Sequence, residues 1–131
     1  MKHIASRGLL LCAFAALAVH APALAQTTWP ERAIKLVVPF PPGGGTDLVA
    51  RAMGHSLSEH LGQPIVIDNK PGASTVIGTD AVAKATPDGY TLLLSGSTSY
   101  SVNPALRAKL PYDPTRDLAP IAIVARTPLV L

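Results

Sequence analysis

Residues 34–51 read IKLVVPFPPGGGTDLVAR and join three segments of different physics. Residues 34–39 are rich in β-branched side chains, the composition of a buried strand. The PPGGG run at 41–45 can neither extend a strand nor enter a helix without a break. Thr46 then opens an amphipathic segment that continues to Leu61. A strand, a glycine loop and a helix N-terminus in that order make an anion site. The glycines let backbone N–H groups approach a ligand closely, and the first helical turn adds unpaired donors and a partial positive charge. The chain is expected to be a small-ligand binding lobe built around this loop.

Downstream, the first helix carries apolar residues at Leu48, Val49, Ala52, Met53, Leu57 and Leu61, a helical period. Gly62 and Pro64 end it. A second strand is expected at 65–68 and a turn at 69–72. A second helix should start at Ala73, Ser74 and Thr75, with Val76, Ile77, Ala81, Val82 and Ala85 as its apolar stripe. Residues 86–89 (TPDG) stop it. A third strand follows at 90–94, then the small polar loop SGSTSYS at 95–101. Residues 103–106 fit one helical turn, 110–120 an ordered proline-containing loop, and 121–125 a fourth strand. The order β-α-β-α-β-loop-β argues for an α/β lobe, a parallel sheet with helices on both faces. Ligands in such sheets sit beyond the carboxyl ends of the strands. Three loops meet that rule: residues 41–47, 71–75 and 96–99.

Upstream, residues 1–25 read as a secretory signal peptide. Lys2 and Arg7 form its basic region, an apolar run follows, and Ala23-Leu24-Ala25 is a small-x-small cleavage site. The run is too short for the ~20 apolar residues that a spanning helix needs. Gln26 is the expected mature N-terminus, which places the product in the periplasm without stable membrane insertion. The formal net charge of the whole chain is +3, and the two leader cations account for most of it. The remainder is near neutral and gives no basis for nucleic-acid binding. The only cysteine, Cys12, lies in the leader, so residues 26–131 must be held by their core alone. The apolar ending IAIVARTPLVL at 121–131 carries no turn signal except Pro128, and the chain is expected to be the N-terminal piece of a two-lobe protein.

Several chemistries are disfavoured. GGGTD lacks the lysine of a phosphate-binding P-loop, and Leu48 stands where a dinucleotide fingerprint needs its third glycine. No metal-ligand cluster, cofactor motif or nucleophile elbow occurs. Asp47 fits two roles, complementing the helix dipole or hydrogen bonding to a ligand. Ser74 and Thr75 fit a helix cap or a ligand contact, and Ser97, Thr98 and Ser99 a turn or a ligand contact. Convergence of these donors on one rim favours a carboxylate. An enzyme would be a secreted hydrolase using Ser97 or Ser99.

The blocks WPERAIKLVVPFPPGGGTDLVAR, LGQPIVIDNKPGAS, PDGYTLLL, NPAL and LPYDPTRDLAPIAIVA together resemble the Bug family, the substrate-binding proteins of tripartite tricarboxylate transporters. The resemblance implies a periplasmic type II binding-protein fold, two α/β lobes closing on a small organic acid, with this chain as lobe one. It implies that the three loops hold ligand carboxylates through backbone and hydroxyl donors, partly through water, at Phe40, Gly43, Gly44, Gly45, Thr46 and Asp47, at Gly72, Ala73, Ser74 and Thr75, and at Ser97, Thr98 and Ser99. It also implies partners: a small organic acid, and the membrane permease subunits that receive it. A sensing role would use the same binding chemistry. One departure is local, since PGASTVIG carries Ser74 and Thr75 where the family more often has glycines.

Overall fold

The computed structural model describes residues 28–126, and the leader read at 1–25 lies outside them. Strands β1 (Ile34–Val38), β2 (Ile65–Asn69) and β3 (Thr91–Leu93) form a parallel sheet in the order β2-β1-β3. Leu36 lies opposite Ile67 on one side and Leu92 on the other. The central strand is covered on both faces, and all its residues except the exposed Lys35 are apolar and buried. Ile34, Leu36, Val37 and Val38 are all buried, whereas Val66 on edge strand β2 is half exposed.

Helix α1 (Gly45–Leu61) carries the chain from β1 to β2, and α2 (Val76–Ala83) from β2 to β3. The second crossover runs back across β1. Right-handed connections therefore put the two helices on opposite faces of the sheet. Ala50 of α1 packs with Leu36, Val38 and Leu94, and Val49, Met53, Ile65, Ile67 and Leu92 close around them. The buried line of α1 is Asp47, Ala50 and Gly54. Leu48, expected on that line, is instead 61% exposed. The helical period is right and the face is rotated, because small residues let the helix approach the sheet. A Cβ at Gly54 would lie 3.3 Å from Ile67 Cδ1. Gly62 ends α1 in the left-handed conformation, its N–H donating to Ser58 O at 3.0 Å.

On α2 the buried residues are Gly78 and Thr79, and Ile77 of the expected stripe is exposed. A Cβ at Gly78 would come within 2.8 Å of Lys70 O and Pro39 Cβ, so only glycine allows this approach. The helix begins at Val76, later than expected, because Ala73, Ser74 and Thr75 are left-handed. The chain beyond β3 forms a π-helical turn, Thr98–Val102, that runs into the short helix α3 (Asn103–Leu106). Buried Tyr112 donates from its hydroxyl to Ser99 O at 2.9 Å, and so fastens the following loop over the β3 end.

The fourth strand expected at 121–125 is not formed. Residues 121–126 are exposed and pair with no strand, leaving Ile121 80% and Ile123 75% accessible. β-rich composition makes a strand only where an edge accepts it, and the outer strand β3 spans only three residues.

Candidate functional site

In the order β2-β1-β3, the first crossover leads from β1 out to β2 and the second returns across β1 to β3, so the direction of winding reverses at the β1–β3 pair. The crevice at their carboxyl ends is the topological switch point, where open α/β sheets bind ligands. The loops after all three strands flank it.

The first loop is shaped by Asp47, which is 1% exposed at the third position of α1. Its Oδ2 accepts from Gly43 N at 2.8 Å and from Arg51 Nε at 2.9 Å, and its Oδ1 accepts from Asn69 Nδ2 at 3.0 Å. The Arg51 side chain, then the Gly43 amide and the Asn69 amide, lower its pKa from 3.8 to about 2. The same Asn69 amide donates to Phe40 O at 3.2 Å. Asp47 thus faces inward and anchors the loop from both ends. Gly43 is held at a φ of 83°, which a side chain rarely tolerates. Gly44 caps α1 without a side chain, and a Cβ there would meet nothing nearer than Pro41 O at 3.7 Å. The amides of Gly44, Gly45 and Thr46 are left without a protein acceptor by the described hydrogen bonds.

The second loop departs most from expectation. Ala73, Ser74 and Thr75 have φ of 47°, 56° and 76°, three left-handed residues in a row without a glycine among them. Their carbonyls are all taken up by the protein. Arg107 Nη2 donates to Ala73 O at 3.3 Å, and Asn103 Nδ2 to Ser74 O at 2.7 Å. Thr79 donates to Thr75 O through both its N and its Oγ1. The amides of residues 73–75 have no protein acceptor among the described hydrogen bonds. Thr75 makes no side-chain cap to α2, and its side chain is buried.

In the third loop Ser99 is fully buried at the centre of a hydroxyl cluster. Its Oγ lies 2.6 Å from Ser95 Oγ, 2.8 Å from Thr75 Oγ1 and 2.9 Å from Thr79 Oγ1. Each hydroxyl brings one proton. Ser99 donates to Thr75 Oγ1 and Thr79 to Thr75 O, and with Ser95 donating to Ser99 three of the four protons are placed. Among the described residues the partners of Ser99 Oγ are all hydroxyls. Ser97 is exposed and Thr98 half-buried, and their amides are also without a protein acceptor.

The residues singled out from sequence therefore divide. Gly44, Gly45, Thr46, Ala73, Ser74, Ser97 and Thr98 face outward or offer free amides. Phe40, Asp47, Thr75 and Ser99 support them from behind. Gly43 and Gly72 supply backbone geometry, since a Cβ at Gly72 would clash with Ile77 Cδ1 at 2.5 Å. Asn69, Arg51, Thr79, Asn103, Arg107 and Tyr112 were not foreseen. Asn69 was readable as an amide at the carboxyl end of a strand, and Asn103 resembled only a cap before Pro104. Among the described residues no group of His, Cys, Asp or Glu could hold a metal ion, and no helix is long and apolar enough to cross a membrane. A groove of about 550 Å³ along α1 and β2, lined by Arg51, His55 and Glu59, lies apart from the three loops.

Fold and loops together define an α/β lobe with unclaimed backbone amides at a sheet's switch point. The chain belongs to the tripartite tricarboxylate transporter family receptors, whose family model matches residues 49–131. Protein BugT of Bordetella pertussis is 48% identical over 90% of this chain and 36% of its own length. A UPF0065 protein of the same organism is 44% identical over the whole chain and 38% of its own. The chain thus spans little more than a third of the length of these curated relatives. Among solved structures, MatC from Rhodopseudomonas palustris, with bound malate, superposes with a TM-score of 0.70 at 41% identity, covering 73% of this chain and 33% of that one. An R. palustris protein solved with adipate gives 0.64 at 44% identity, over 66% of this chain and 29% of that one. A structure described as a periplasmic transporter gives 0.64 at 49% identity, with coverage of 66% and 29%.

Proposed function

We propose that this chain is the N-terminal lobe of a periplasmic receptor for a small carboxylate-bearing molecule, which it delivers to the permease subunits of a tripartite tricarboxylate-type transporter. The observation that carries the reading is the set of unclaimed amides on three loops around one crevice. Backbone donors at a helix N-terminus and a tight turn suit a carboxylate, and they need no charged side chain. Asp47 would repel a carboxylate placed against it. The structure turns it away from the rim and neutralises it with Arg51, which removes that objection. Residues 26–131 form the lobe and residues 1–25 the leader that exports it. The malate and adipate in the related structures are in keeping with a dicarboxylate, and binding rather than turnover fits the surroundings of Ser99.

A thermal-shift screen of the full-length protein against organic acids, amino acids and sugars tests this reading. Stabilisation by one or a few carboxylates, with neutral isosteres inactive, is the expected result. Stabilisation only by neutral or cationic compounds would reject it.

A further inference from the structure

The three left-handed residues of the second loop call for a restraint. The αL region is uncommon for residues with a Cβ, and for a β-branched residue such as Thr75 it is an outlier. Such conformations persist where the surroundings over-determine them. Here the surroundings are specific. Asn103 is 3% exposed, and it donates from Nδ2 to Ser74 O at 2.7 Å and to Thr75 Oγ1 at 3.3 Å. Thr75 Oγ1 also accepts from Ser99, so its two lone pairs are both filled. The amide of Asn103 thus grips the turn at its backbone, and Ser99 ties the same side chain to the loop after β3. With their carbonyls drawn inward, residues 73–75 hold three successive amides for the crevice.

We infer that Asn103 is a positioning residue of the site. It holds the 73–75 turn in its left-handed form and, with Ser99, couples that turn to the third loop. The inference rests on the receptor reading for its effect on affinity, but not for its effect on the turn. Without Asn103 the turn relaxes towards φ below zero, and its amides no longer converge.

The test uses the full-length protein, with malate and adipate as probes in calorimetry. Asn103→Ala should weaken binding of whichever probe the wild type takes by about tenfold, and the double variant is read against Ser74→Gly alone, so that any effect of Ser74 itself on affinity is divided out. Because glycine adopts left-handed φ without a Cβ penalty, Ser74→Gly placed in the Asn103→Ala background should recover at least half of the loss on a logarithmic scale. A residue that only packed the core would lower thermal stability without this rescue. Unchanged affinity in Asn103→Ala, or no recovery in the double variant, overturns the inference. If the wild type binds neither probe, the readout becomes the backbone ¹³C shifts of residues 73–75. Left-handed shifts lost in Asn103→Ala uphold the positioning role even where the receptor reading has failed, and shifts unaltered by the substitution reject it.

Discussion

At the scale of single residues, the account depends on Asp47 remaining charged. Its folded pKa of about 2 lies below the ordinary 3.8. A lowered carboxylate pKa contributes stability that is fully present above the unfolded value and is lost as pH falls through the folded one. The contribution should therefore be intact at neutral pH and fade between about pH 4 and pH 2. Urea unfolding across that window should show a steeper acid decline in the wild type than in Asp47→Asn, which cannot titrate there. Parallel declines would mean that the carboxylate is not coupled to the fold. Ser74 provides the opposite case, a residue at odds with its backbone. A left-handed residue with a Cβ costs ~1–2 kcal/mol, whereas glycine's extra freedom in the unfolded chain costs ~0.5–1 kcal/mol. Ser74→Gly should raise stability by up to about 1 kcal/mol in denaturant unfolding. Destabilisation would show that the turn is not left-handed at this position.

Among the elements, α2 is placed by Gly78 rather than by its apolar stripe. Its approach to Pro39 Cβ and Lys70 O leaves no room for a methyl group. Gly78→Ala should destabilise by ~1–3 kcal/mol, the usual range for overpacking, and chemical denaturation measures it directly. A neutral effect would mean that α2 sits farther from the sheet. The same helix shows why the sequence was only partly legible. Period identified both helices, and the Pro-Gly punctuation located the loops. Period cannot say which face wins when small residues allow close packing. That is why Leu48 and Ile77 were assigned inward and the structure buries Ala50, Gly54 and Gly78. Nor could propensity foresee three left-handed residues spelled Ala-Ser-Thr. They are held by Asn103, Arg107 and Thr79, which are remote or unremarked in sequence, and such contacts leave no local signal.

Across the whole molecule, the parallel sheet and the three rim loops follow from the β-α-β order of elements and could be read in advance, whereas the strand order β2-β1-β3 could not, because element order and handedness allow others. The supporting network behind the rim could not either, because it joins side chains to backbone carbonyls as far away in sequence as Arg107 to Ala73. The expected fourth strand failed for want of an edge to receive it, and its apolar side chains are left accessible. Residues 26–131 expressed alone should therefore self-associate at micromolar concentration. Replacing Ile121 and Ile123 with Asn should shift sedimentation towards a monomer. A wild-type fragment that sediments as a monomer would show that these side chains find cover.

The central claim is that backbone donors of the glycine loop bind the ligand. Gly44 offers the cleanest test, because its φ of −77° is open to any residue and a Cβ there touches little of the protein. Gly44→Val in the full-length protein should keep its melting behaviour yet project a branched side chain over the free amides of Gly45 and Thr46. Calorimetric titration with the carboxylate found by screening should show affinity weakened at least tenfold, about 1.4 kcal/mol. Wild-type affinity in a folded Gly44→Val protein would contradict the account, and would reduce the loop to a turn between a strand and a helix.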